Sequence, residues 1–191
     1  MTKLIQKIKN IPKGYFTFTD LKKISNQRDN SLKVSISRLV KSRQIFKLSK
    51  GVYALDISKV DWENFAIDVY SPSYLSFEWA LGKYNILSQK PVNLTLATVK
   101  RSRTIITARK DIIYHHIQTK LFWGFARRDS FLIACPEKAF LDHAYLSLNG
   151  YAAFDPEEMN LSLLDKNKVK KYLKKFNSVR LNNLIAKCSD F

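Results

Sequence analysis

The stretch from residue 31 to residue 55, SLKVSISRLVKSRQIFKLSKGVYAL, decides the fold that we expect for the first part of this chain. Its first half places apolar residues at positions i, i+4, i+7 and i+8, which is the spacing of a helix that buries one face. The apolar arc consists of Leu32, Ile36, Leu39 and Val40, and the opposite arc consists of Lys33, Val34, Ser37, Arg38 and Lys41. The stretch therefore predicts a helix with a buried apolar face and an exposed basic face.

The residue types on the basic face are those that proteins use to read the major groove of DNA. Arginine forms paired hydrogen bonds with guanine, serine bonds bases or phosphates, and a valine methyl contacts thymine. Ser31 is the expected N-cap, so the first turn would point backbone N–H groups towards a phosphate. The alternative is that these charged side chains are simply exposed to solvent and have no binding role.

A β-hairpin is predicted directly after this helix. Ile45, Lys47 and Ser49 alternate with their neighbours, and residues 52–55 are apolar and β-prone. Gly51 lies between the two runs, at a turn position where a positive φ is expected. Lys47 and Lys50 would lie near the tip of the hairpin, within reach of phosphate.

The residues that precede the stretch complete a recognisable order of elements. Residues 2–9 form an amphipathic helix pattern, residues 16–18 alternate like a short strand, and Thr19 is the expected cap of a second helix that buries Leu21 and Ile24. Helix, strand, helix, turn, helix and hairpin is the order of a winged helix-turn-helix. We therefore predict a DNA-binding domain of this type over residues 1–58.

The charge of the chain is concentrated at its two ends. The net charge is +17; residues 1–59 hold 14 Lys and Arg against 3 Asp and Glu, residues 160–191 hold 8 against 2, and residues 60–159 are balanced. The electric field of these positive charges attracts polyanions, so nucleic acid is favoured as a partner over an anionic membrane surface. The sequence shows no signal peptide and no apolar run long enough for a membrane span, so we expect a cytoplasmic location.

Residues 59–191 are predicted to form a second domain that mixes helices and strands. Helices are expected from Trp62 to before Pro72, over residues 77–81, and from Pro136 to about Leu148, with two more near the C-terminus at residues 166–175 and 179–187. Segments 92–99, 104–107, 112–117, 121–125 and 131–134 have strand patterns, which predicts a sheet of four or five strands. The short links predict a largely antiparallel sheet, and the fold class is α+β.

The motifs of the common enzyme and metal sites are not found. The 5 glycines form no phosphate-binding loop, and Cys135 and Cys188 are too far apart for a zinc motif. The three histidines, His115, His116 and His143, lack ligand spacing and are predicted to be structural or surface groups. We expect no cofactor, no metal and no catalytic residues.

Two groups of charged residues are given structural roles instead. Lys138 and Asp142 have the i, i+4 spacing of an ordinary ion pair on a helix surface. Asp155, with Glu157 and Glu158, is expected to cap a helix, and the alternative is that this cluster binds a cation. Enzymatic activity is therefore not expected.

Several segments together resemble the AbiEi family of antitoxins over residues 1–150. They are Lys50-Gly51-Val52-Tyr53, Ser73-Tyr74-Leu75-Ser76 before Ala80-Leu81, Phe122-Trp123-Gly124, and the run IACPEKAFLD at residues 133–142. The resemblance implies a type IV toxin-antitoxin system associated with phage defence. Its antitoxin represses its own operon by binding inverted repeats in the promoter, and it counteracts a toxin of the nucleotidyltransferase type.

The resemblance and the basic helix together give one set of candidate DNA-binding residues. They are Arg28, Ser31, Lys33, Val34, Ser37, Arg38, Lys41, Lys47 and Lys50. The expected partners are double-stranded DNA and the toxin, with no membrane partner. Two arrangements stay open, a homodimer on a palindrome and monomers on neighbouring repeats. A repressor without a toxin, whose second domain senses a ligand or forms a dimer, is the alternative function, and a nucleic-acid-processing enzyme is a third.

Overall fold

A computed structural model describes residues 2–9, 11, 13–89, 91–107 and 109–188. The chain divides into two compact units, the first comprising residues 1–65 and 106–109 and the second comprising residues 66–105 and 110–191. The first unit extends to Phe65, inside a helix over Trp62–Val69. The reason is that the ring of Phe65 packs edge-on against Tyr15 and Trp62, so the start of this helix belongs to the core of the first unit.

Helix, strand, helix, helix and hairpin follow one another in the first unit. The elements are α1 (Thr2–Lys9), β1 (Phe16–Thr17), α2 (Phe18–Ile24), α3 (Asp29–Lys41), β2 (Phe46–Ser49) and β3 (Val52–Ala54), followed by α4 (Trp62–Val69), which crosses into the second unit. The three strands form an antiparallel sheet in the order β1-β3-β2. The predicted order of elements is therefore present, and the strand before α2 pairs with β3 of the hairpin.

The core of the first unit is built from one face of each helix. Its buried members are Leu4, Ile8, Phe16, Leu21, Leu32, Ile36, Leu39 and Ile45. Three of the four residues on the predicted apolar arc of α3 are fully buried, and Val40 is packed against the same cluster. Burial of this arc fixes which face of α3 points to solvent.

The caps of α2 and α3 differ from the prediction. Thr17, not Thr19, is the N-cap of α2: the Asp20 N–H donates to Thr17 Oγ1 at 3.1 Å, and the Thr17 N–H donates to Asp20 Oδ2 at 2.9 Å. This reciprocal pair satisfies two backbone donors, which Thr19 cannot do from inside the helix. In α3 the N-cap is Arg28, without a side-chain hydrogen bond, so Ser31 lies within the first turn instead of capping it.

Thr17→Ala is expected to lower the free energy of unfolding by about 1 kcal/mol, because it removes the side-chain acceptor of the capping box. The hydrogen bond from the Thr17 backbone lowers the pKa of Asp20, so this stabilisation is present at neutral pH and is lost as the pH falls through the folded-state value. Urea unfolding at pH 7 measures the loss. Thr19→Ala is the matched control, and a larger effect at Thr19 than at Thr17 would contradict the assignment of the cap.

The second unit contains one sheet and four helices of its own. The elements are β4 (Ser73–Leu75), α5 (Phe77–Lys83), β5 (Leu94–Thr98), β6 (Arg103–Ile105), β7 (Ile112–His116), β8 (Phe125–Arg128), β9 (Phe131–Ala134), α6 (Pro136–Ser147), α7 (Lys166–Phe176) and α8 (Val179–Ile185). Short 3-10 helices lie at Ile57–Lys59, Thr119–Leu121, Pro156–Glu158 and Leu161–Leu163. None of the helices in the described ranges combines the length and the apolar character that crossing a membrane requires.

The sheet of the second unit is mixed and has six strands, so the prediction of a largely antiparallel sheet of four or five strands is confirmed only in part. Its six strands have the order β6-β7-β5-β4-β9-β8. Three neighbouring pairs are antiparallel, whereas β5 with β7 and β4 with β9 are parallel. The pair β5 and β7 needs no crossover helix, because the chain between them runs back through β6, which pairs with the outer side of β7.

The sequence-based prediction was wrong for two strands. Ser73–Leu75 was expected only to lead into a helix, but it is β4, a fully buried strand inside the sheet. The strand predicted at residues 121–125 does not form, and β8 starts only at Phe125. Phe122 packs instead against Tyr74 of β4, with 5.2 Å between ring centroids.

Candidate nucleic-acid interface

The outward face of α3 is a continuous basic surface. Its residues Lys33, Val34, Ser37, Arg38 and Lys41 are all exposed, and Val34 retains 50% of its accessible surface. The other side of the helix is held by Leu32, Ile36 and Leu39, which are buried. The arc therefore presents three cations, one hydroxyl and one apolar side chain to solvent on a single helix, as the sequence predicted.

The cations of this face are not neutralised within the first unit. Among the described residues, the side chains of Lys33, Arg38 and Lys41 form no hydrogen bond or salt bridge. The acidic residue of α3, Asp29, is held instead by Lys22, whose Nζ lies 3.0 Å from Asp29 Oδ1. The positive charge of the face is therefore available to an external anion.

The remaining predicted residues flank α3 on both sides. Arg28 and Ser31 are exposed at the start of the helix, and Lys47 and Lys50 are exposed on the hairpin. Gly51 has φ +77°, which confirms the predicted turn. The pairing of β2 with β3 is irregular between residues 47 and 49.

Two exposed residues between α3 and the hairpin were not included in the predicted set. Arg43 follows α3 with φ +55°, and Phe46 of β2 retains 36% of its accessible surface. An exposed aromatic ring beside a cation suits contact with a nucleic acid as well as with a protein. Their signal in the sequence is weak, because neither belongs to the helical period of α3.

The dimensions of α3 match the groove of a DNA duplex. An α-helix with its side chains is about 10–12 Å across, and the major groove of B-DNA is about 12 Å wide. A helix with an outward arginine, serine and valine has the donors and the methyl groups for base contacts, and its lysines suit phosphate contacts. The face therefore offers the kinds of side chain that contacts with a duplex use.

The predicted surface ion pair of the second unit is instead completely buried, so that prediction is wrong. The side chains of Lys138 and Asp142 have no accessible surface, and Lys138 Nζ contacts Asp142 Oδ1 directly. Tyr74 OH and Ser76 Oγ donate to Asp142 Oδ2 at 3.0 and 2.9 Å, and Lys138 Nζ donates to Tyr74 OH at 2.9 Å. We call these four residues the buried network.

Aromatic rings and a glycine complete the surroundings of the lysine. Lys138 Nζ lies 5.1 Å from the ring centroids of both Trp123 and Phe176. Gly124 has φ +76°, and a Cβ there would lie 3.0 Å from Lys138 Cγ. Burial lowers the pKa of Lys138, while Asp142 opposes that change. Nine of the twelve residues of α6 are buried, so the network holds this helix against the sheet and is closed to a substrate.

The histidines and cysteines are dispersed in the second unit. His115 packs against Phe77 at 5.1 Å, His116 is exposed with Nδ1 3.0 Å from the Lys100 carbonyl oxygen, and His143 is buried. Cys135 is only partly buried and Cys188 is buried. Within the ranges that the structure describes, no group of three or more His, Cys, Asp and Glu side chains could hold a metal ion.

Comparison with known proteins gives a fold but no family. No family model and no curated protein matches the chain. Among solved structures, the chain is similar to the crystal structure of the RV2827C protein from Mycobacterium tuberculosis, with a TM-score of 0.59 and 13% sequence identity over 91% of this chain and 70% of that chain. At this identity the similarity concerns the fold alone, and function has to be inferred from the sites.

Proposed function

We propose that this protein is a DNA-binding transcriptional repressor that uses a winged helix-turn-helix in its first unit. The observation that carries the proposal is the outward face of α3, where Lys33, Arg38 and Lys41 lie exposed and unpaired around Ser37 and Val34. The order of elements and the pairing of β1 with the hairpin support this fold type. In this proposal α3 enters the major groove, and β2 and β3 form the wing, from which Lys47 and Lys50 contact phosphate.

We further propose that the repressor is an antitoxin of the AbiEi type. The support is the resemblance of the segments at residues 50–53, 73–76, 122–124 and 133–142, which lie on the hairpin, at β4, before β8 and from the end of β9 into α6. The partners would be double-stranded DNA with inverted repeats in the protein's own promoter and a nucleotidyltransferase-type toxin, in the cytoplasm. A single winged helix reads few base pairs, which favours two copies on one operator.

The alternative is a repressor whose second unit senses a ligand and has no toxin partner. The observation that favours it is an open acidic cleft in the second unit, lined by Glu78, His143, Asp155 and Glu158. The gene next to this one distinguishes the two functions. A nucleotidyltransferase reading frame favours the antitoxin, and its absence favours the ligand-responsive repressor.

Expression of the full-length chain is expected to repress a reporter gene placed behind the DNA upstream of its own gene. The reason is that a repressor of its own operon binds between the promoter elements and excludes polymerase. A reporter behind an unrelated promoter is the control. Equal reporter output from both promoters would contradict repression, whereas rescue of cells that express the neighbouring gene would separately support the antitoxin function.

A further inference from the structure

The second unit contains an open cleft of about 580 Å³ that the proposed DNA-binding function does not use. Its base is formed by Glu78 of α5 and His143 of α6. One wall contains residues 87–89, 91 and 92, and the other contains residues 153, 155, 158 and 159; a β-bridge joins Leu87 to Met159. The Ser88 hydroxyl donates to the Glu158 carbonyl at 3.2 Å, which ties the walls together. A volume of this size accommodates a small organic ligand.

Two polar atoms at the base of the cleft are buried and form no hydrogen bond with a described residue. His143 is 3% exposed, and its Nδ1 forms no hydrogen bond with any described residue. Glu78 Oε2 is also buried without a partner, although the other oxygen, Oε1, lies 3.4 Å from His143 Nδ1. Buried polar atoms are normally hydrogen-bonded, so two adjacent exceptions that line one cleft indicate a missing donor.

The charge of the cleft is opposite to that of the chain. Three acidic residues line it, Glu78, Asp155 and Glu158. The chain as a whole carries a net charge of +17. Burial lowers the pKa of His143, so the ring is neutral at neutral pH and does not repel a cation. A local acidic site in a basic protein selects a cation.

The rest of the lining is apolar and favours a ligand with a carbon skeleton. Leu87, Pro91, Ala153 and Met159 contribute apolar surface on both walls. A bare metal ion would need several ligands, and the described residues offer no group of three. An ammonium group with three N–H donors satisfies a carboxylate oxygen and an imidazole nitrogen together, while its alkyl chain covers the apolar walls.

We propose that this acidic cleft binds a small organic primary amine, with the ammonium group on Glu78 and His143 and the carbon chain against the side chains of Leu87 and Met159. The inference does not depend on DNA binding, because every residue that carries it belongs to the second unit. Asp155 holds the Glu157 N–H at 2.9 Å and thereby keeps the outer wall in place.

Isothermal titration of the full-length protein with 1,4-diaminobutane tests the proposal. We expect saturable binding of one molecule per chain, and about tenfold or weaker affinity for Glu78→Gln, because a neutral amide loses the charge-assisted hydrogen bond. Glu63→Gln removes the same charge from the first unit and should bind as the unchanged protein does. Equal affinity of Glu78→Gln, or no saturable binding at millimolar amine, overturns the proposal.

Two further measurements do not depend on how well the variants fold. With the unchanged protein, 1-butanol should bind much more weakly than the amine, because 1-butanol carries no positive charge. Equal binding of the two compounds would mean that the cleft recognises only the carbon chain, and this result would overturn the proposal. In the imidazole region of an NMR spectrum, the amine should shift the signal of His143 and leave that of the exposed His116 in place. A shift of His116 alone would likewise overturn it.

Discussion

Replacing Arg38 and Lys41 together by alanine is expected to weaken binding to the DNA upstream of the protein's own gene by about 100-fold. Both side chains are exposed on the outward face of α3, and neither has a partner among the described residues. A base-contacting arginine contributes about 1–3 kcal/mol, and a phosphate-contacting lysine adds a term that depends on salt. A gel-shift titration at fixed ionic strength measures the affinity, and its repetition at several salt concentrations measures the slope.

The matched control keeps the net charge equal and moves the substitutions away from this face. Lys9 and Lys59 are exposed in the first unit outside α3 and the hairpin, so Lys9→Ala with Lys59→Ala should change the affinity little. Equal loss in both double variants would mean that the general positive field binds the DNA, and the role of α3 would be refuted. Circular dichroism should be unchanged in both, because all four side chains lie outside the core.

Replacing Lys138 by methionine is expected to lower the free energy of unfolding by about 3–5 kcal/mol, because it leaves the Asp142 carboxylate buried without its cation. Tyr74 and Ser76 would still donate to that carboxylate, but two neutral hydroxyls do not replace an ammonium group. Small domains are stable by only about 5–15 kcal/mol, so the loss is large. Urea unfolding followed by circular dichroism at constant pH measures it.

Two comparisons between variants show whether the lost stability comes from an unpaired buried charge or from lost packing of the side chain. Lys22→Met breaks the exposed pair with Asp29 and should change stability by less than about 1 kcal/mol, because solvent screens that pair. Adding Asp142→Asn to Lys138→Met should recover part of the loss, since the amide oxygen still accepts from the two hydroxyls and no charge remains buried. Equal effects of Lys138→Met and Lys22→Met would contradict the role of the buried network.

Local periodicity was sufficient to predict the first unit. The arc of Leu32, Ile36 and Leu39 decides which side of α3 is buried, and this information is contained in the helix itself. The hairpin turn at Gly51 is equally local, because only glycine adopts a positive φ there without strain. The caps were missed by two residues in α2 and by three in α3, since a threonine or serine inside the first turn resembles a cap in sequence.

Pairing between distant segments was not predictable in the same way. A strand as short as Ser73–Leu75 has no period of its own, and its place inside the sheet depends on β5 and β9, which lie far along the chain. The acidic cleft also depends on contacts between segments that are distant in the chain. Glu78 and His143 belong to different helices, and no spacing rule connects them.

The sequence by itself determined the basic face of α3, the order of helices and strands in the first unit, and the α+β class, because each depends on residues within a few turns of one another. Only the tertiary structure decided that Lys138 and Asp142 are buried. Their spacing is the same for a pair on a surface and for a pair in a core, and the difference is made by Tyr74, Ser76 and Trp123, which the fold brings around them. Burial is a property of the assembled fold, since water is excluded by segments that are distant in the chain.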